Sequence, residues 1–206
     1  MFFAHVPQTF VDKFVALKLD PATGKPDPVR FKAFGASHSD IASQVKFLDD
    51  NNPPPSYANC AYYSIHTFKF INQYDKVTLV RWRFVPLDGE KKLSDEELKS
   101  MPSDFLEQAL IERTQRGPVL WDMIVTIGEP GDPETDPTVL WPKDRKEVRA
   151  GTLTLSSAAP DKQAGSYGIN YDPLVLSDGI EATDDPVLRF RSSSYALSFT
   201  RRLQNV

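Results

Sequence analysis

Two residues near the C-terminal end are spaced for chemistry. Arg191 precedes Tyr195 by four positions. On a helix that interval puts both side chains on one face, a turn apart. A phenol with an ordinary pKa of about 10 is a poor anion at neutral pH. A permanently charged guanidinium within hydrogen-bond reach lowers that pKa and holds the phenolate. Arg202 lies seven positions after Tyr195 and returns to the same face. Taken alone, the pair also fits a core tyrosine beside a solvated charge. Other chemistry is sparse. The sequence holds no GxGxxG, Walker A, HExxH or GxSxG motif. His5, His38 and His66 are scattered, and no Cys or His pair has metal-ligand spacing. The one cysteine, Cys60, excludes an internal disulfide framework and a thiolate cluster, and reads as a small buried hydrophobe.

The element that must present Arg191 and Tyr195 is a closing helix, Pro186–Leu203. Pro186 suits its first turn, and Asp184 or Asp185 suits its cap. Upstream, Phe10, Phe14 and Leu17 recur at helical spacing and predict an amphipathic helix over Gln8–Lys18. Leu19–Pro28 is a loop dense in Pro and Gly, and further helices are expected over Val29–Ala36 and Asp40–Leu48. The run Pro53-Pro54-Pro55 ends helical structure. Strands over Ser64–Ile71 and Val77–Val85 alternate, with a turn at Asn72–Asp75. One face carries His66, Phe68, Phe70, Trp82 and Phe84, the other Lys69, Arg81 and Arg83, as in a half-buried sheet. His66 reads here as a structural strand residue. Ser94 and Glu97 form a capping box, and a helix over Phe105–Arg116 ends at Gly117. Val119–Ile127 and Val148–Ser156 are two more strands, and the segment between Ser156 and Pro186 is a long loop. The order predicts an α+β fold with an antiparallel sheet of about four strands and flanking helices. Small closed barrels need about eight strands, so the sheet looks like part of a barrel.

Composition narrows the function classes. A chain of 206 residues that is 40% hydrophobic can bury a core. A net charge of −4 without charge runs gives no footprint for nucleic acid or an anionic membrane. No apolar stretch approaches the ~20 residues of a membrane span. Met1–His5 lacks the basic and apolar regions of a secretory signal.

Several segments in the last third follow one another in a telling order: Ile169-Asn170-Tyr171-Asp172-Pro173, Asp178-Gly179-Ile180-Glu181, Asp185-Pro186-Val187-Leu188 and Arg191-Ser192-Ser193-Ser194-Tyr195. Together they resemble the haem-proximal region of the catalase superfamily, and their form is similar to the smaller catalase-related peroxidases. Earlier pieces agree: Phe2-Phe3 with Phe10, His66-Thr67-Phe68-Lys69-Phe70, Trp141-Pro142, and Gly151-Thr152-Leu153-Thr154-Leu155. The resemblance implies a haem (iron protoporphyrin) cofactor and a catalase-like domain over residues 1–206. It implies a haem-dependent peroxidase that acts on hydrogen peroxide and a small organic electron donor, as part of an oxidative-stress response. It gives Tyr195 as the axial iron ligand, Arg191 as the group that holds it deprotonated, Arg202 as a propionate partner and Asp185 as a residue near the haem. It also gives Phe10 as a distal-side ring on the porphyrin and Phe2 as a channel-lining ring. A homo-oligomer is left open, as is cellular location.

In the family the distal histidine and asparagine come before the Phe-Phe segment. This sequence begins at Met1-Phe2-Phe3 and contains neither. The expectation is therefore a domain truncated at its N-terminus, with poor turnover by the chain alone, because peroxide cleavage needs a distal base. Two alternatives stand beside the peroxidase: a degenerate haem-binding fragment without turnover, and a non-haem small-molecule binding domain on a partial barrel.

Overall fold

The computed structural model describes residues 2–160 and 164–204. Prolines and their neighbours set the helix starts. Helix α1 (Pro7–Ala16) has proline at its first position, after an extended Val6. Helix α2 (Pro28–Ser37) also begins on proline, and the Asp27 carboxylate accepts from Val29 N–H. The helix expected over Asp40–Leu48 divides into a 3-10 turn, Ser39–Ile41, and α3 (Ala42–Asp49). The tighter i→i+3 bond from Ile41 N–H to the His38 carbonyl accounts for the split. Helix α4 (Asp95–Ser100) carries the foreseen capping box between Ser94 and Glu97, and α5 covers Phe105–Gln115.

The sheet is antiparallel throughout, in the order β5-β4-β3-β2-β6, with β1 paired to β3. Its strands are β1 (Tyr62–Tyr63), β2 (Phe68–Ile71), β3 (Val77–Pro86), β4 (Val119–Ile127), β5 (Glu147–Leu155) and β6 (Ile180–Ala182). Strands β5 and β6 end the order, so the sheet is open among the described residues. The β2–β3 turn is built on Asn72, whose Oδ1 accepts from the backbone N–H groups of Tyr74 and Lys76.

Three expectations are corrected here. Strand β2 starts at Phe68, because the preceding residues bond elsewhere: the Thr67 carbonyl accepts from Thr183 Oγ1–H, and the His66 ring goes to Asp185. The long loop before the last helix contains β6, three residues too short to show periodicity. Gly179 makes that pairing fit. Its φ is +78°, and a Cβ there would stand 3.0 Å from the Ile71 carbonyl oxygen. Cys60 is half-buried beside the Tyr57 carbonyl.

The aromatic face of the sheet is the main core. Phe68, Val80 and Val125 pack with Leu188 of helix α6 (Pro186–Leu203), and Phe70, Trp82, Leu174 and Leu176 close around them. Val80 and Leu188 are fully buried. Burying side chains of this size is worth about 1.5–3 kcal/mol each. A second cluster joins Phe3 and Ala4 to Ala16, Phe34 and Ile41. A third joins Ala58, Val119 and Trp121.

The start of α6 is fixed by one carboxylate. Asp185 Oδ1 accepts from Val187 N–H (2.8 Å) and Leu188 N–H (3.2 Å), which caps the helix. Asp185 Oδ2 accepts from His66 Nδ1–H at 2.7 Å. Both side chains are at most 2% exposed. The helix that carries Arg191 and Tyr195 is thereby bolted to the segment leading into β2.

The basic face of the sheet is not left to solvent. Residues 129–146 fold over it, held by Asp132 and Arg145. Arg145 Nε–H and Nη2–H donate to the two Asp132 oxygens at 2.8 and 2.9 Å, and Glu129 N–H donates at 2.8 Å. The Arg145 guanidinium, with that backbone donor, holds the Asp132 carboxyl below the ordinary carboxylate range.

Two outcomes are expected. A carboxyl depressed in the folded state stabilises above its unfolded pKa of about 3.9, and that stabilisation is lost as pH falls through the lower folded value. Asp132→Asn should lower the melting temperature at about pH 7, and the gap from the parent should narrow as pH falls below about 3.9. A gap that stays constant over that range would contradict the assignment. Asp185→Ala should cost about 3 kcal/mol in urea unfolding, because it removes a cap and breaks a buried pair. Asp184→Ala should stay within about 0.5 kcal/mol, since that side chain is 89% exposed. Equal effects of the two substitutions would refute the capping role of Asp185.

Candidate functional site

The predicted pair is formed. Arg191 Nη2–H donates to Tyr195 Oη at 2.6 Å, and the guanidinium carbon stands 5.1 Å from the centre of the tyrosine ring. Both side chains are partly buried. The bond joins a permanent cation to the phenol oxygen, one turn along the same helix. Between them, Ser192 Oγ–H donates to Asp172 Oδ2 at 2.5 Å, which pins the middle of α6 to the loop that supplies Leu174 and Leu176 to the core.

The other predicted residues fall into two places. Phe2, Phe10 and Asp185 gather around the first turns of α6. The Phe2 ring lies 6.0 Å from Phe10 and 6.3 Å from the His66 imidazole, centre to centre. Phe10 lies 6.5 Å from Phe190, the neighbour of Arg191 in sequence. Arg202 stands apart from the Arg191–Tyr195 pair. Its Nε–H and Nη2–H donate to the Tyr167 and Ile169 carbonyls at 3.1 and 2.8 Å, and its guanidinium stacks on Tyr167 and Phe199. It clamps the 165–169 turn against the end of the helix.

Between α1 and α6 runs a groove of about 440 Å³, lined by Phe10, Phe14, Val15, Lys18, Phe190 and Ser194. Its walls are apolar because the Phe10–Phe14 edge of α1 is left uncovered; Phe14 and Val15 are each 56% exposed. Ser194 places the groove one residue from Tyr195 in sequence. A second cavity, about 380 Å³, lies on the opposite side of the sheet near Trp141 and Lys143 and contains none of the predicted site residues.

Sequence reasoning missed two members of this site. His66 is more than a strand residue: it is the buried partner of Asp185, and its Nε2 is buried with no hydrogen-bond partner among the described residues. No local pattern links positions 119 apart. Phe190 lines the groove, and its adjacency to Arg191 is the one sequence signal that could have marked it. The other histidines are tied down elsewhere, His5 to Asp40 at 3.1 Å and His38 to Asp12 at 3.4 Å. Among the described residues no helix is long and apolar enough to cross a membrane.

Comparison with known proteins identifies the family and the fold. The chain is 56% identical over 200 residues to a catalase-related peroxidase of Synechococcus elongatus, covering 97% of this chain and 59% of that protein. It is 32% identical over 200 residues to a catalase-related peroxidase of Mycolicibacterium paratuberculosis, covering 97% of this chain and 62% of that one. The chain thus spans about three-fifths of the length of these relatives. Catalase A from Saccharomyces cerevisiae superposes with a TM-score of 0.88 at 26% identity, over 98% of this chain and 44% of the yeast chain. A fungal catalase superposes with a TM-score of 0.87 at 24% identity, over 98% of this chain and 43% of its own, which speaks to the fold. The family model described as Catalase matches residues 1–205. By that match over nearly its whole length, the chain belongs to the catalase family.

Proposed function

We propose that this chain forms the iron-ligand side of a haem-dependent peroxidase of the catalase-related type, which acts on hydrogen peroxide and takes electrons from a small organic donor. The observation that carries this is the 2.6 Å bond from Arg191 to Tyr195 on a helix whose first turns border an apolar groove. The residues present suit haem. Phe10, Phe14 and Val15 on one side of the groove and Phe190 on the other give mostly apolar walls, as a porphyrin face requires, with Lys18 and Ser194 at its edge. A charge-held phenol oxygen is the axial donor type of this family. The orphaned Nε2 of His66 marks a buried polar point beside the start of the same helix.

Bound haem would supply the redox centre that peroxide oxidises and the donor reduces. The chain's own part is to hold and tune it. Tyr195 would give the iron its oxygen, and Arg191 would keep that oxygen deprotonated. Phe10 and Phe190 would cover porphyrin surface and keep water off it, with Phe2 behind them against His66. Asp185 and His66 fix where α6 begins. A propionate reaching the far end of α6 would meet Arg202. Cleaving peroxide also requires a proton to move between its oxygens, which needs a base within hydrogen-bond reach. Because His5, His38 and His66 are each held by a carboxylate, a second reading also has support: haem binding without efficient turnover.

Titrating the purified chain with haemin tests the proposal. The parent should bind stoichiometrically. Tyr195→Phe should weaken binding at least about tenfold, since every 1.4 kcal/mol is a factor of ten. Equal affinity for the two would remove the ligand assignment. Arg191→Leu loses a hydrogen bond to a charged group, worth about 1.5–3 kcal/mol, so binding should weaken about 10- to 150-fold near neutral pH. Parental affinity in Arg191→Leu would mean that Arg191 is not needed to hold the ligand. Peroxide-dependent oxidation of a phenolic donor by the haemin-loaded chain separates the peroxidase from the non-turnover reading.

A further inference from the structure

Arg81 sits on β3, on the sheet face away from the main core, and most of it is covered. Its Nε–H donates to Thr67 Oγ1 at 2.9 Å. Its Nη1–H donates to the Val139 carbonyl at 2.7 Å, and Nη2–H donates to those of Pro133 and Asp136 at 3.2 and 3.3 Å. The guanidinium carbon lies 4.8 Å over the Trp141 ring. A covered guanidinium is tolerated when its fork of donors is engaged, and four bonds engage this one. Three of those bonds staple the 133–139 loop, and the fourth does something else.

That fourth bond reaches Thr67, which is fully buried. Thr67 follows His66, the partner of Asp185. The Thr67 carbonyl accepts from Thr183 Oγ1–H at 3.0 Å, and Thr183 is also fully buried. The pair His66-Thr67 therefore meets both residues that lead into α6, Thr183 and Asp185. Arg81 holds this pair from the other side of the sheet. Its positive charge also lies close enough to Asp185 for the two to feel each other electrostatically.

We infer that Arg81 is a positioning residue for the haem-proximal site: through the Thr67 hydroxyl it fixes His66 against Asp185, and so sets the start of the helix that carries Arg191 and Tyr195. What is positioned rests on the function proposed above; the device itself can be measured without haem.

The test uses the full chain with 15N-labelled histidine and four proteins: the parent, Arg81→Met, Thr67→Val and Thr67→Ser. Each is studied well below its own melting temperature, and the His66 Nδ1–H signal is followed by NMR. The parent and Thr67→Ser should show a hydrogen-bonded, slowly exchanging signal. In Arg81→Met and Thr67→Val its exchange should be at least about tenfold faster, and haemin affinity should fall about tenfold, or 1.4 kcal/mol. Thr67→Val leaves the three carbonyl bonds of Arg81 in place and removes, besides the Arg81 bond, only the 3.4 Å bond from Thr67 Oγ1–H to the Pro133 carbonyl, so it judges the Thr67 link if Arg81→Met does not fold. Parental exchange in the substituted chains, with only a lower melting temperature, would show that Arg81 merely staples the loop and would overturn the inference. So would faster exchange with parental haemin affinity, provided Tyr195→Phe does weaken haemin. If Tyr195→Phe leaves haemin binding unchanged, the ligand assignment fails, and the exchange rate alone judges Arg81.

Discussion

The buried carboxylate of Asp185 is the interaction on which the rest of the site depends. One oxygen satisfies the first free N–H groups of α6, and the other holds the imidazole of His66. A carboxyl group this deep in the protein is tolerable only when its oxygens are so engaged. Its two duties cannot be separated: the helix starts where the sheet lets it start. From there helical geometry does the positioning. Arg191 and Tyr195 follow at a spacing that needs no further contact to bring guanidinium to phenol. Leu188 seals the junction in the core beside Val80 and Val125.

The N-terminal helices answer a different constraint. Under the proposed function, a flat, largely apolar ligand would need an apolar wall that is not already covered. Helix α1 gives its hydrophobic edge to the groove and keeps only Thr9 and Ala16 fully inside. Its anchoring comes from elsewhere, through Phe3 and Ala4 packed on Phe34 and Ile41, and through the Phe2–Phe10 contact. An exposed apolar edge on a folded chain marks a surface meant to be covered.

Much of this was legible in the sequence, and the failures have physical causes. Helix α6 spans the expected Pro186–Leu203, and β4 the expected Val119–Ile127, because each has a strong period and clear punctuation at its ends. The Arg191–Tyr195 contact follows from helical spacing alone. Strands β1 and β6 escaped notice because two or three residues carry no period, and their pairing depends on neighbours brought in by the fold. Arg81 read as a solvated charge on a polar face; its burial is imposed by residues 129–146, whose path a Pro-rich loop does not announce. The seven-residue spacing of Arg202 places it on the face of Tyr195. Its attachment to Tyr167 and Ile169 is a tertiary event that spacing cannot reveal.

The proposal that Tyr195, hydrogen-bonded by Arg191, would serve as the iron ligand can be tested on the loaded chain. Resonance Raman spectroscopy of the haemin-loaded chain tests it most directly. The account predicts tyrosinate vibrations enhanced on excitation into the haem-to-phenolate band, and a shift of those vibrations when the tyrosines are ring-deuterated. A haemin complex whose spectrum shows imidazole or water as the axial ligand, with no isotope-sensitive tyrosinate modes, would contradict it.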